Sequence, residues 1–229
     1  MTSPGPVLVL TQGRPTDVTV VNRLAEGTAI HWHGLELESW SDGVAGWSGR
    51  EARVAPPIAP GDSFVARLTM PRAGTFIYHT HIHDVGQITA GLYGPIVVLP
   101  PGAAWDPGTD HVFIAGWDDE RIVVNGDTTE APLEWTAGGT HRLRFVNIGP
   151  AQRLRFAVER DSAVYARWRP RAKDGADLPA TQANERPAHE ILDVGETFDV
   201  DVSLPPGTYA ITARLPGGHL HYRRPVVVR

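Results

Sequence analysis

The chain has 229 residues, a formal net charge of −5, 24 glycines, 20 prolines and no cysteine. That length suits two domains of ordinary size, and a hydrophobic share of 41% is enough to build their cores. The acidic balance argues against nucleic acid as a partner, and the missing thiols exclude disulfides, zinc fingers and thiolate nucleophiles. No apolar run approaches the roughly 18–20 residues that span a bilayer, so no membrane partner is expected. No basic segment followed by an apolar stretch opens the chain, so no signal peptide is expected either.

Short strands separated by Gly/Pro turns are predicted throughout, with no amphipathic helix longer than a turn or two. In the first part they fall at 7–10, 17–22, 29–32, 63–70, 75–81 and 95–99. A Pro/Gly-rich stretch at 100–108 reads as a linker. Beyond it, strands are predicted at 112–116, 122–125, 141–147, 153–158, 165–169, 196–204, 209–215 and 226–229.

The two parts repeat one another. Gly61-Asp62-Ser63-Phe64 followed by Gly74-Thr75-Phe76 parallels Gly195-Glu196-Thr197-Phe198 followed by Gly207-Thr208-Tyr209. Aligning the Gly-Thr-aromatic turns sets Thr212 opposite His79 and Arg214 opposite His81. The second copy builds the same strand without histidine, so the fold itself does not need imidazole there.

His31-Trp32-His33 and His79-Thr80-His81 are therefore the candidate site. In a strand, side chains at i and i+2 project from one face about 6.5–7 Å apart. Two such pairs on neighbouring strands gather four imidazoles over one patch, and imidazole is a good ligand for copper and zinc. Trp32, between its histidines, is expected to point the other way, into packing. A ligating imidazole needs an acceptor for its second nitrogen, and Asp42 and Asp84 are candidates. Asp42-Gly43 is also a turn signal, and Asp42 can serve both purposes. His83 is expected to sit behind the ligands or face solvent, and His219-Leu220-His221 to lie on an exposed hairpin. His111, His141 and His189 read as isolated surface residues. The seven tryptophans read as packing residues.

Several segments together resemble the multicopper oxidase (laccase-like) family. They are His31-Trp32-His33-Gly34, Asp42-Gly43-Val44, Pro60-Gly61, the run from Gly74 to His81, and Gly91-Leu92-Tyr93-Gly94-Pro95. The likeness covers most of 5–100, and the remainder resembles the family's histidine-poor cupredoxin domain. The resemblance implies an all-β chain of two tandem cupredoxin-like Greek-key β-sandwich domains, 1–100 and 101–229. It implies that His31 ligates the type 2 copper, that His33, His79 and His81 ligate the type 3 pair, and that Asp42 helps deliver protons to reduced dioxygen.

The chain departs from the family in having no cysteine for a type 1 copper and no His-X-X-His-X-His. The arrangement resembles the last two domains of a permuted oxidase whose type 1 domain comes first. Oxidase activity is thus expected to depend on a partner domain or a homo-oligomer that completes the copper cluster. The alternatives are a copper sequestration or delivery protein and a catalytically silent cupredoxin fragment. By the same resemblance, the protein is expected in the periplasm or outside the cell.

Overall fold

The structure, a computed structural model, describes residues 3–82, 84–118, 121–127, 131–149, 151–161 and 164–229. Strands dominate it, and among the described residues the helices are two short ones, Ser39–Asp42 and Asp84–Thr89. No helix among the described residues is long and apolar enough to cross a membrane.

In the first half, Thr16–Val21 alternates half-buried and exposed residues and pairs antiparallel with Ser63–Leu68. Opposite this ribbon lies a sheet with the strand order Leu8–Thr11, Tyr93–Leu99, Gly74–Thr80, Ile30–His33. Its first pairing is parallel and the next two are antiparallel. Tyr93–Leu99 is buried at every residue, as a central strand covered on both faces should be. Trp32, Leu68, Met70, Phe76 and Ile96 form the core between the two layers.

The second half repeats the plan with longer strands. One sheet runs Arg121–Val124, Asp110–Asp118, His141–Asn147, Thr197–Val202, Arg167–Lys173, Ala176–Asp177. The facing sheet runs Leu133–Trp135, Leu220–Val228, Gly207–Arg214, Leu154–Asp161, Val164–Tyr165. Its first three pairings are parallel, antiparallel and antiparallel, matching the first half. The core is rich in aromatic residues, among them Phe113, Phe145, Phe156, Trp168, Phe198 and Tyr222.

The halves meet through a small apolar cluster in which Ile77, Ile88 and Tyr93 pack on Ile114, Val146 and Ile148. Beside it, Arg144 donates to Asp110 at 2.6 and 2.7 Å, to Asp199 at 2.8 Å and to the Thr75 hydroxyl at 2.9 Å. Thr75 in turn donates to Asp199 at 2.7 Å, while the Thr197 hydroxyl donates to the Thr75 carbonyl at 3.0 Å. Burial pushes the Asp199 carboxyl up, against the pull of Arg144.

Several strands differ from the sequence expectation. Leu133–Trp135 and His189–Leu192 are not among the predicted strands: both are only three or four residues long, and the second is mostly polar or exposed. The last strand starts at Leu220 rather than 226, because Tyr222 is buried while Arg223 and Arg224 mask its alternation. The segment predicted at 165–169 splits into the end of one strand, Val164–Tyr165, and the start of another, Arg167–Lys173.

Candidate metal centre

Ile30–His33 and Gly74–Thr80 pair antiparallel with Ile30 opposite Thr80, His31 opposite His79, Trp32 opposite Tyr78 and His33 opposite Ile77. Residues directly across an antiparallel pair share a face, and their diagonal neighbours lie within reach of long side chains. This register alone therefore gathers the imidazoles: His79 faces His31, with His33 diagonal to it. Trp32 takes the opposite face and is 1% exposed in the core, where Tyr78 tilts against it at 6.3 Å.

The ring of His31 lies 5.7 Å from His33, 5.4 Å from His79 and 5.5 Å from His81, centroid to centroid. His33 and His79 are 5.5 Å apart, and His79 and His81 are 6.0 Å apart. One nitrogen from each of His31, His33 and His79 lies within 4.8 Å of the others. His79 is buried, His31 and His33 are half-buried, and His81 is exposed at the rim.

Partners behind the rings set which nitrogen faces inward. His31 Nδ1 lies 3.2 Å from the Asp42 carboxylate and 3.3 Å from the Asp42 carbonyl, so its Nε2 is left for the cluster. Asp42 ends the helix Ser39–Asp42, and Gly43 closes that helix in the left-handed region at φ 79°. A Cβ on Gly43 would sit 2.0 Å from the Ile30 carbonyl oxygen, so only glycine brings this turn so close to the histidine strand. Asp42 is thus both the end of a turn and the partner of His31. The Ser48 hydroxyl donates to its second oxygen at 3.2 Å.

His79 Nδ1 donates to the Thr80 carbonyl at 2.6 Å, while its Nε2 faces His33 Nδ1 at 3.4 Å. Sequence reasoning missed the support behind His79. Gln87 accepts from Thr80 at 2.6 Å and from Thr28 at 2.8 Å, and donates to Glu26 at 2.9 Å. Nothing in the local pattern marks Gln87, because it reaches the site from a separate helix.

Burial above all, helped by the other rings, pushes His79 down to about 4, and burial with His31 lowers His33. At neutral pH both are therefore neutral and offer lone pairs, as metal ligation requires. His33 also borders a cavity of about 300 Å³ shared with the second half, where Gly195 and Asp174 face it. His83 lies outside the described residues, as does the side chain of Asp84.

The second half fills the matching positions differently. There Gly207–Arg214 pairs with Leu154–Asp161 so that Thr212 lies opposite Ala157 and Ala210 opposite Glu159. Counting from the Gly-Thr-aromatic turn, Ala157, Glu159, Thr212 and Arg214 replace His31, His33, His79 and His81. Arg214 and Glu159 join in an ion pair at 3.1 Å, and Ala157 and Thr212 are fully buried. On the hairpin between Gly207–Arg214 and Leu220–Val228, His219 is exposed, but His221 is half-buried with its ring 4.7 Å from that of His219. His189 is exposed, against Tyr165 at 4.5 Å. His111 and His141, by contrast, are packed against each other rather than isolated on the surface.

Residues 1–103 match the family described as multicopper oxidase. Multicopper oxidase CTB12 of Cercospora beticola is 34% identical over 131 residues, covering 56% of this chain and 19% of that protein. L-ascorbate oxidase of Cucurbita maxima is 35% identical over 140 residues, covering 58% of this chain and 23% of that protein. The matched part is thus less than a quarter of either relative's length. The blue copper oxidase of Nitrosomonas europaea aligns with 99% of this chain and 77% of its own, at a TM-score of 0.80 and 21% identity. The fold is accordingly all-β, two tandem cupredoxin-like β-sandwiches, and copper is the metal that the family likeness implies.

Proposed function

We propose, on the match of residues 1–103 to the multicopper oxidase family, that this chain supplies half of a type 2/type 3 copper site for dioxygen reduction. In this reading 1–100 forms the histidine-bearing domain and 101–229 its histidine-poor companion. His31 is the type 2 ligand, and His33, His79 and His81 are type 3 ligands. The single observation behind it is the register of the ribbon, which sets His31 opposite His79 with His33 and His81 as their neighbours.

The donor set fits copper: His31 and His79 each have one nitrogen held by a partner and the other turned inward. Copper held by such ligands would supply the one-electron redox chemistry that dioxygen reduction needs. The remaining chemistry belongs to the protein. Asp42 orients His31 through Oδ1 and holds the Ser48 hydroxyl at Oδ2. Its side chain is 29% exposed, so a proton taken from solvent at that carboxylate can be passed into the site. The Thr80 carbonyl fixes the His79 tautomer. His81, exposed at the rim, is the ligand that a partner domain or a second copy would reach first. Electron entry through a type 1 copper needs a thiolate that these 229 residues do not contain, so it too comes from the partner.

The test combines copper analysis, mass in solution and oxygen uptake with a phenolic or metal-ion reductant. Copper retained by the chain, lost in the His79→Ala/His81→Ala variant, and oxygen uptake confined to an assembled form are expected. Sustained uptake by the isolated monomer would overturn the dependence on a partner. Tight copper binding without uptake in any oligomeric state would instead favour copper sequestration or delivery.

A further inference from the structure

A second pair of imidazoles lies in the other half of the molecule, on parallel neighbours Asp110–Asp118 and His141–Asn147. His111 Nε2 and His141 Nδ1 are 3.1 Å apart. Their rings are inclined by only 17° with centroids 5.3 Å apart, so they meet edge to edge, nitrogen to nitrogen. The Trp135 indole lies flat beneath both, 4.0 Å and 10° from His141, 5.5 Å and 19° from His111. His141 is 6% exposed and His111 is half-buried. Burial first, then His141 and Arg224, push His111 down to about 4, and burial lowers His141. Both rings are therefore neutral at pH 7, with a single proton between the facing nitrogens.

We propose that these two nitrogens form an auxiliary site for one monovalent copper ion, Cu(I), held between His111 and His141 above Trp135; the proton the facing nitrogens share moves to the outer nitrogen of the ring that carries it, so both rings ligate as neutral imidazoles. The donor count selects the ion. Zinc sites almost always have four ligands, and calcium and magnesium take six or more oxygens, whereas among the described residues two nitrogens converge here and no third ligand joins them. Two donors facing each other along one line suit a soft d10 ion that accepts linear coordination. With metal–imidazole bonds of about 2 Å, the nitrogens must part to about 4 Å. His111 can make that movement because it lines a cleft of about 590 Å³ with Trp105, Asp110 and Arg224.

The surroundings also favour a positive charge between the rings. The indole face attracts a cation. Asp106 and Asp110 act on His111 in the same sense, and Asp106 on His141, while Arg224 opposes them. The site is independent of the histidine ribbon, which lies in the other half, so it stands or falls without the oxidase reading.

The test is anaerobic Cu(I) titration against a chromophoric Cu(I) chelator, using the full chain with His31, His33, His79 and His81 all changed to alanine. One equivalent of Cu(I) should remain bound, X-ray absorption should report two nitrogen donors, and tryptophan fluorescence should fall. Adding His111→Gln, at the more exposed ring, should weaken binding at least tenfold, and adding His141→Ala should do the same where that variant folds. Trp135→Phe should keep the ion but lose much of the quenching. No bound Cu(I) in the four-alanine chain would overturn the proposal. So would a three- or four-coordinate ion, unchanged affinity after His111→Gln, or loss of binding on His221→Ala instead.

Discussion

Asp42 shows how one side chain can do what several sequence signals point to at once. It ends a helical turn, and its carboxylate holds His31 Nδ1 at 3.2 Å. Removing an acceptor of this kind from a ligating histidine typically costs 10–100-fold in metal affinity. Asp42→Ala should therefore weaken copper binding by roughly that factor in a chelator competition, and a change below about threefold would mean that the contact does not orient His31. His79 carries a second prediction at this scale. Its ordinary value is 6.5, and burial holds it at about 4 in the fold. Between those values the unfolded chain binds the proton and the folded one does not, so stability falls as pH drops from 6.5 towards 4. His111 adds to the loss in the same window. Urea midpoints of the metal-free protein should fall across this range, and His79→Gln should flatten the dependence in part. An unchanged slope would remove His79 as a contributor.

The histidine ribbon works as an element because three short segments are held in register. Gly43 is the point where they touch, since a Cβ there would meet the Ile30 carbonyl at 2.0 Å. Gly13 has a similar φ of 72° but open space around it. Both Gly→Ala changes carry the cost of an alanine at positive φ, on the order of 1 kcal/mol, but only Gly43→Ala must also displace the strand that bears His31. Denaturant unfolding should show the larger loss for Gly43→Ala, roughly 2–3 kcal/mol, and copper affinity should fall in that variant alone. Equal effects would mean that the close approach does not matter. Much of this element was legible in the chain: alternation placed both histidine pairs on one face, and Asp42-Gly43 marked the turn. Gln87 and Thr28 were not legible, because they reach Thr80 across 7 and 52 residues respectively and no local period connects them.

For the whole molecule, the junction between the halves rests on a buried charge network as well as on apolar contact. Arg144 and Asp199 have side chains 5% and 3% exposed, so removing Arg144 leaves the Asp199 carboxyl buried without its guanidinium. Arg144→Ala should destabilise the protein by about 3–5 kcal/mol, the usual cost of breaking a buried pair. Arg142→Ala, whose ion pair with Asp201 is partly exposed, should cost about 1 kcal/mol or less. Comparable losses in denaturant unfolding would show that the network does not secure the junction. The same comparison explains why His111 and His141 escaped the sequence reading. They stand 30 residues apart in the chain and become neighbours only because Asp110–Asp118 and His141–Asn147 pair in parallel.

Composition, two-residue alternation and the duplicated Gly-Thr-aromatic turn were enough to specify an all-β chain, a repeated plan and a four-imidazole face. Those features follow from the strand period, which is a local property of the backbone. Tertiary structure alone decided which nitrogens turn inward, which polar groups brace them, that Glu159 and Arg214 occupy the matching place in the other half, and that a second imidazole pair rests on Trp135. Each of these depends on the register between strands far apart in sequence, which is set by packing and burial across the whole fold.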